Sequence, residues 1–533
     1  MRRTLVPLSL ALLSALSALS AVPVTAAAAP AGHASATPLY DASIARLEAK
    51  MQAGTLTSAQ LTAMFIRRID TIDRAGPHLD AVIELNPDAL AIARRIDAER
   101  RAGKPLGPLA GIPVLLKDNI DTGDRMQTTA GSLALVGAPA ATDATLVARL
   151  RAAGAVILGK TNLSEWANYR SDHSTSGWSG RGGQTRNPYV LSRNPCGSSS
   201  GSAVAVAAGL STVAVGSETD GSLVCPVSVN GIVAIKPTLG LIPRTGIVPI
   251  SHSQDTAGPM ARDVADAAAL LTAMAGSDPA DPASAEADGH KTDYTRFLEP
   301  GGLKGKRIGV VRALAGDDPG VLRVLDQSIA ALRKAGAVVV DPVVIPHLDD
   351  YGKDENIVLS YEFKHDLDAY LATRSGVPVR ALADVIAFNR AHAAQELPWF
   401  GQGLMIEAEK RGPLTDPKYL KALADEKRLA GPEGIDAALR KDRLDALLAP
   451  TAGPAWTTDL VNGDHVGVSS SSPAAVAGYP DITVPAGFVH GLPVGVSFFG
   501  TKWSEPTLIE IAYGFEQATH ARRDPRFLAH AVP

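Results

Sequence analysis

Between Gly111 and Ile235 the chain repeats one pattern: a short apolar run, a small or polar stop, then an Ala/Val-rich stretch with helical spacing. Ile112 to Leu116, Ala155 to Leu158, Thr212 to Val215 and Gly231 to Ile235 read as buried strands. Ala144 to Ala153 and Ala203 to Leu210 read as helices between them. Strands that are apolar on both faces need cover on both faces, and helical crossovers join parallel neighbours. The pattern therefore predicts an α/β fold, a large mixed twisted sheet flanked by helices on both faces.

The flanking sequence fits this plan. Ile44, Leu47 and Met51 mark one amphipathic helix, and Leu61, Phe65, Ile66 and Ile69 a second, with Thr57 or Ser58 as its N-cap. Asp88 to Ala102 reads as a third. Ser171 to Gly201 is rich in Gly, Ser and Asn without periodicity, and a loop that long is usually functional or disordered. Ser277 to His290 reads as a linker. Arg307 to Val311, Val321 to Ala335 and Val338 to Val344 form a β-α-β unit; strands follow at Asp481 to Pro485 and Val494 to Phe499. Residues 30–533 are expected to be one domain with a helical insertion at about 361–448.

The first 29 residues stand apart. Arg2 and Arg3 precede an apolar stretch from Leu5 to Val24 and a run of small residues from Thr25 to Ala29. This is the layout of a secretory signal peptide, with cleavage expected near Ala27 to Ala29. Pro7, four interrupting serines and the lack of a basic flank argue against a membrane anchor. The mature chain is expected to be periplasmic or extracellular, free of membrane, and monomeric.

Composition narrows the chemistry. There are 51 Lys and Arg against 55 Asp and Glu, a formal net charge of −4, so no broad basic field exists to hold nucleic acid. The 12 histidines show no metal-ligand spacing, and neither a metal nor a cofactor is expected. Cys196 and Cys225 are the two cysteines. Spacing cannot decide whether they pair, and two buried free thiols are the expectation.

Three segments could carry chemistry. Lys117 ends the apolar run Gly111-Ile112-Pro113-Val114-Leu115-Leu116. A buried ammonium is costly unless paired or neutral, so such a lysine is a candidate base, with surface pairing to Asp118 as the plain alternative. Gly197-Ser198-Ser199-Ser200-Gly201 opens an Ala/Val helix and offers hydroxyls and backbone N–H groups, or simply a flexible loop. Gly216-Ser217-Glu218-Thr219-Asp220-Gly221-Ser222 follows a strand and can aim a hydroxyl beside successive N–H groups, or form an ordinary Asp-Gly turn.

Together, and in this order, the segments resemble the amidase signature family. The resemblance continues through Gly231-Ile232-Val233-Ala234-Ile235-Lys236-Pro237-Thr238, Gly478-Tyr479-Pro480 and Gly491-Leu492-Pro493-Val494-Gly495, covering most of the chain. Within the family the chain is most similar to the exported bacterial peptide amidases. It carries Val224, Cys225 and Pro226 where most members have an arginine two positions after the nucleophile, a departure that points away from the tRNA amidotransferases. The resemblance implies Ser222 as nucleophile, Ser198 as bridging serine, Lys117 as base, and the backbone N–H groups of Thr219, Asp220, Gly221 and Ser222 as oxyanion hole. It implies hydrolysis of carboxamides, C-terminal peptide amides among them, to carboxylate and ammonia. A broad amidase for small aliphatic or aryl amides would use the same residues. Two other readings compete: an α/β-hydrolase esterase with Ser199 as nucleophile and His490 or His520 as base, and a periplasmic solute-binding protein. The first lacks a strand before its Gly-x-Ser-x-Gly; the second needs no Lys-Ser-Ser order.

Overall fold

The computed structural model describes residues 38–531. The expected leader lies outside the described residues. Among the described residues eleven strands form one sheet. In chain order they are β1 (Val82–Leu85), β2 (Pro113–Lys117), β3 (Val156–Thr161), β4 (Val213–Glu218), β5 (Val233–Lys236), β6 (Thr256–Ala261), β7 (Arg307–Val310), β8 (Val338–Val340), β9 (Ala446–Pro450), β10 (Asp481–Val489) and β11 (Leu492–Phe499). Their order across the sheet is β1-β3-β2-β4-β6-β5-β10-β11-β9-β7-β8. Pairs on either side of the centre are parallel: β2 with β3 and β4, and β7 with β8 and β9. Between them lie the antiparallel strands β6, β5, β10 and β11. The sheet is mixed, as the alternation of elements predicts.

Burial explains the pattern. Every residue of β2, β3, β4 and β6 is buried, and so is every residue of the helix Ser200–Ala207. Leu115, Leu116, Ile157, Leu158, Ala214 and Val215 have no exposed surface, and fully burying a large aliphatic side chain is worth about 1.5–3 kcal/mol. At the N-terminal end, Ser58–Arg68 begins with a reciprocal cap in which Thr57 and Gln60 bond each other's backbone. Ile44, Leu47 and Met51 are buried along one face of Ile44–Gln52, as their spacing predicts.

The structure departs from the sequence reading in three places. Strands β1, β6 and β9 carry no clear periodic signal; Gly258 and Pro259 in β6 in particular are poor strand formers, and burial overrides them. The helical region starts earlier than expected, with Gly352–Thr373, continues through Leu382–Ala391, Gly403–Glu409 and Pro417–Ala430 to Asp436–Asp442, and gives way to β9 at Ala446. Ser277 to His290 is not a linker. Asp281 pairs with Arg244, Ser284 is buried, and Arg149 donates to the Ser277 carbonyl. These bonds fasten the segment to the same body. No helix among the described residues is long and apolar enough to cross a membrane.

Candidate active site

Lys117 closes β2, and Ser217 lies in the parallel neighbour β4, where Leu116 sits beside Val215. This register brings the lysine amine to the turn that follows β4, at the carboxyl ends of parallel strands where α/β sheets commonly bind ligands. Lys117 Nζ lies in hydrogen-bond contact with Ser198 Oγ at 2.7 Å and Ser217 Oγ at 2.9 Å, and donates to the Ser217 carbonyl at 3.1 Å. Asn119 Nδ2 donates to the same Ser217 Oγ at 2.8 Å. Asp118 does not pair with Lys117. It turns to Thr129 and to Arg181, the latter at 3.3 Å.

The amine touches only uncharged oxygens. Burial pushes the Lys117 amine down to about 7, against the opposing pull of Asp255 and Glu218. Asp255 is half-buried, and desolvation pushes it up to about 6, held back by the hydrogen bond from Thr219 Oγ1 and the backbone N–H groups of Ser251 and Ile250.

Ser198 follows a cis peptide bond from Gly197. Its neighbour Ser199 is fully committed: Ser199 Oγ donates to the Ser217 carbonyl at 2.9 Å and accepts from Ser217 N–H at 3.2 Å, while Ser199 N–H donates to the Ser222 carbonyl at 3.2 Å. This excludes Ser199 as an esterase nucleophile, because its hydroxyl is buried and spent on backbone. Exposure orders the remaining three groups. Lys117 and Ser198 are at 0%, and Ser222 at 7%. Of the three, Ser222 alone reaches the surface.

The turn from Thr219 to Ser222 leads into a short helix, Val224–Val229. Glu218 Oε2 accepts the Leu223 and Val224 N–H groups at 2.6 and 3.0 Å, capping that helix next to Ser222. Among the described residues no protein acceptor is bonded to the N–H groups of Thr219, Asp220, Gly221 or Ser222. Unpaired amides in a folded turn are uncommon and form an anion-binding concavity.

The structure corrects the expectation of free thiols: Cys196 and Cys225 form a disulfide, with Cα atoms 6.1 Å apart. One cysteine precedes the Ser198 loop and the other follows Ser222, so packing the two serines together also packs the cysteines together. Trp166 and Trp178 are buried, Trp178 against Phe400 and Arg170, whereas Trp399 is exposed. Asn119, Glu218, Gln254 and Asp255 join the site without a distinct mark in the sequence. Their only signal there is that of polar residues inside otherwise apolar or Ser-rich stretches.

A buried lysine on two serines thus stands beside a turn of free amides at the carboxyl ends of parallel strands in a mixed sheet. The chain belongs to the amidase family, whose sequence profile matches residues 60–509. It is accordingly a hydrolase of amide C–N bonds, in the amidase signature fold. It is 58% identical to the native peptide amidase from Stenotrophomonas maltophilia, over 91% of this chain and 99% of that one, with a TM-score of 0.88. An amidase family protein from Bacillus anthracis is 38% identical, over 91% of this chain and 92% of that one, with a TM-score of 0.84. A probable amidase from Arabidopsis thaliana is 44% identical over 501 residues, 92% of either chain.

The disulfide closes a segment with a sequence separation of 29. By chain entropy such a closure stabilises by about 3–4 kcal/mol. The double variant Cys196→Ser/Cys225→Ser is therefore expected to unfold at lower denaturant than the parent. Superimposable urea curves would show that the bond contributes nothing.

Proposed function

We propose that this chain is an exported peptide amidase, converting the C-terminal carboxamide of peptides to the carboxylate and ammonia through an acyl-enzyme on Ser222. The observation that carries the reading is the 2.7 Å bond between the buried Lys117 Nζ and Ser198 Oγ, with no carboxylate in contact with the amine. A neutral amine has two N–H bonds and one lone pair. The Ser217 carbonyl can only accept, so it takes one N–H bond, and in this reading Ser217 Oγ takes the other. The lone pair is left for the Ser198 hydroxyl.

In the first half-reaction Ser222 Oγ attacks the amide carbon. Its proton passes to Ser198 Oγ as the Ser198 proton passes to Lys117 Nζ. Negative charge on the former carbonyl oxygen is received by the backbone N–H groups of Thr219, Asp220, Gly221 and Ser222. The tetrahedral intermediate collapses with the proton returned to nitrogen; the C–N bond breaks and ammonia leaves. Water then attacks the ester by the same proton route and releases the acid. The depressed Lys117 makes this route available at neutral pH.

Two observations support the finer parts of this reading. The 58% identity to a peptide amidase over nearly the whole chain favours peptide amides as substrate. The disulfide favours export, because such bonds persist in oxidising compartments.

Lys117→Ala, Ser198→Ala and Ser222→Ala should each lower kcat by at least about 10³-fold, since members of one catalytic unit fail together. In the parent enzyme kcat/KM should rise with pH through about 7, because protonated Lys117 has no lone pair to offer. Full activity in Ser222→Ala, or a profile flat across that region, would overturn the assignment.

Substrate choice is settled by incubating a peptide amide, its free acid and a simple aliphatic amide, then following ammonia and product mass. Ammonia and an acid of unchanged chain length are expected from the peptide amide, with internal bonds untouched. Turnover of the simple amide alone would favour the broad small-amide reading. For export, N-terminal sequencing of periplasmic material should begin between Ala28 and Pro30; material starting at Met1 would refute it.

A further inference from the structure

The turn that carries Ser222 is held from outside, and its anchors decide where its amides point. In a trans peptide unit the C=O and N–H point in opposite directions, and the peptide bonds of this turn are trans. The Gly221 carbonyl accepts from Cys225 N–H at 2.9 Å, which aims the Ser222 N–H the other way. The Thr219 carbonyl accepts from Gln254 Nε2 at 3.3 Å, which fixes the Asp220 N–H in the same manner. Gln254 is buried just ahead of β6, and its Nε2 also donates to Glu355 Oε1 at 3.1 Å. Glu355 belongs to Gly352–Thr373, the first helix of the insertion.

The orientation of this amide is determined. Gln254 Oε1 has no hydrogen-bond partner among the described residues, so the nitrogen alone holds the side chain. Turning the group over would set its oxygen against the Thr219 carbonyl, which can only accept. The Asp220 side chain accepts from Ser471 Oγ and, at 2.6 Å, from Ser472 Oγ, and it also faces the Glu355 carboxyl, which burial and this proximity push well up. Loss of Gln254 would thus release the Thr219–Asp220 peptide plane while leaving the Asp220 carboxylate fastened.

We propose that Gln254, braced by Glu355, is a positioning residue for the oxyanion-binding amides, through which the helical insertion contributes to the reaction without touching substrate. The proposal rests on the reading above, in which the amides from Thr219 to Ser222 receive the oxyanion. A well-aimed donor at such a site is worth about 10²–10³-fold in kcat. Hydrogen bonds weaken steeply off line, so a donor that is present but misaimed forfeits part of that.

The test uses the full-length enzyme with Gln254→Met, which keeps the length and removes the donor, together with Glu355→Ala, Glu355→Gln and Ser222→Ala. Gln254→Met should lower kcat by about 10- to 100-fold while KM for a peptide amide moves by less than about twofold. A peptide aldehyde, whose adduct on Ser222 bears the same oxygen, should lose affinity by the factor that kcat/KM loses. Glu355→Ala should follow at about tenfold, and Glu355→Gln, which keeps an oxygen to accept from Gln254, should recover most of the activity. Should Gln254→Met fail to fold, Gln254→Leu, which also lacks the donor, carries the same expectations. A Gln254 variant within about twofold of the parent in kcat, or one whose loss lies in KM with aldehyde affinity unchanged, overturns the proposal. Ser222→Ala separates the two levels. If it is inactive, a normal Gln254 variant refutes only the positioning role; if it is active, the underlying mechanism falls as well.

Discussion

A primary amine buried without a carboxylate in contact is the constraint around which this structure is arranged. Three lysines are buried at strand ends of the sheet, and their surroundings differ. Lys160 donates to the Ile120 carbonyl and to Thr128, with Asp118 and Asp121 close enough to oppose the effect of burial. Lys236 lies among Glu218, Asp481 and Glu505. Burial pushes both amines down, and their acidic neighbours oppose it. Lys117 instead meets two hydroxyls and a carbonyl, with Asp255 and Glu218 acting only at a distance. Neutral oxygens stabilise the charged form less than a carboxylate would, and of the three amines Lys117 is the one pushed down to about 7 while in contact with a serine hydroxyl next to the turn of free amides.

Keeping that arrangement requires two Gly/Ser-rich segments to hold still, although such composition favours mobility. Each is bound to the other at several points. Ser199 ties its own hydroxyl to both polar atoms of the Ser217 backbone and its N–H to the Ser222 carbonyl. The Cys196–Cys225 bond joins the two segments covalently on their far sides. Glu218 caps the helix that begins just beyond Ser222. The small side chains are there because the segments approach closely: a Cβ on Gly197 would lie 2.2 Å from Ser164 Oγ, and one on Gly201 2.4 Å from the Ala81 carbonyl. Order comes from hydrogen bonds to backbone, and side-chain bulk would prevent them.

What is legible in the sequence follows from which interactions are local. Lys117 stands out because a charge at the end of an apolar run breaks its own local pattern, and the serines because their glycine spacing is unusual. Strands β2, β3 and β4 are apolar on both faces and are readable from composition alone. Strand β6, with Gly258 and Pro259, is a strand only because β4 and β5 pair with it on either side. The same reason hides Gln254: its contacts with Thr219 and Glu355 span 35 and 101 residues of sequence. The segment from Ser277 to His290 resembles a linker if its polar residues are taken as solvated, whereas Asp278, Asp281 and Ser284 are partners of Thr145, Arg244 and one another. Polar composition distinguishes a linker from a packed loop only when the partners are known.

The long-range contacts also decide what kind of object the insertion is. Its helices meet the segment ahead of β6 through buried polar bonds, not through a loose apolar face. Glu362 has no exposed surface and accepts from Ser251 Oγ at 2.5 Å, Ser253 Oγ at 2.9 Å, Ser253 N–H at 3.0 Å and Tyr419 OH at 2.7 Å. Lys427 Nζ donates to the Ser253 carbonyl at 2.8 Å and the Val476 carbonyl at 2.6 Å. A lid that swings must break its contacts each time, and hydrogen bonds to charged groups contribute about 1.5–3 kcal/mol each, with a further cost when the charge is left buried and unpaired. Several broken together would exceed what binding a small substrate returns. The insertion is therefore fixed scaffolding at this contact. Residues 250–255, clamped by it on one side, hold Thr219 on the other through Asp255 and Gln254. Rigidity at the turn of free amides, whose own sequence is Thr-Asp-Gly-Ser, is thus imported from helices far away in the chain.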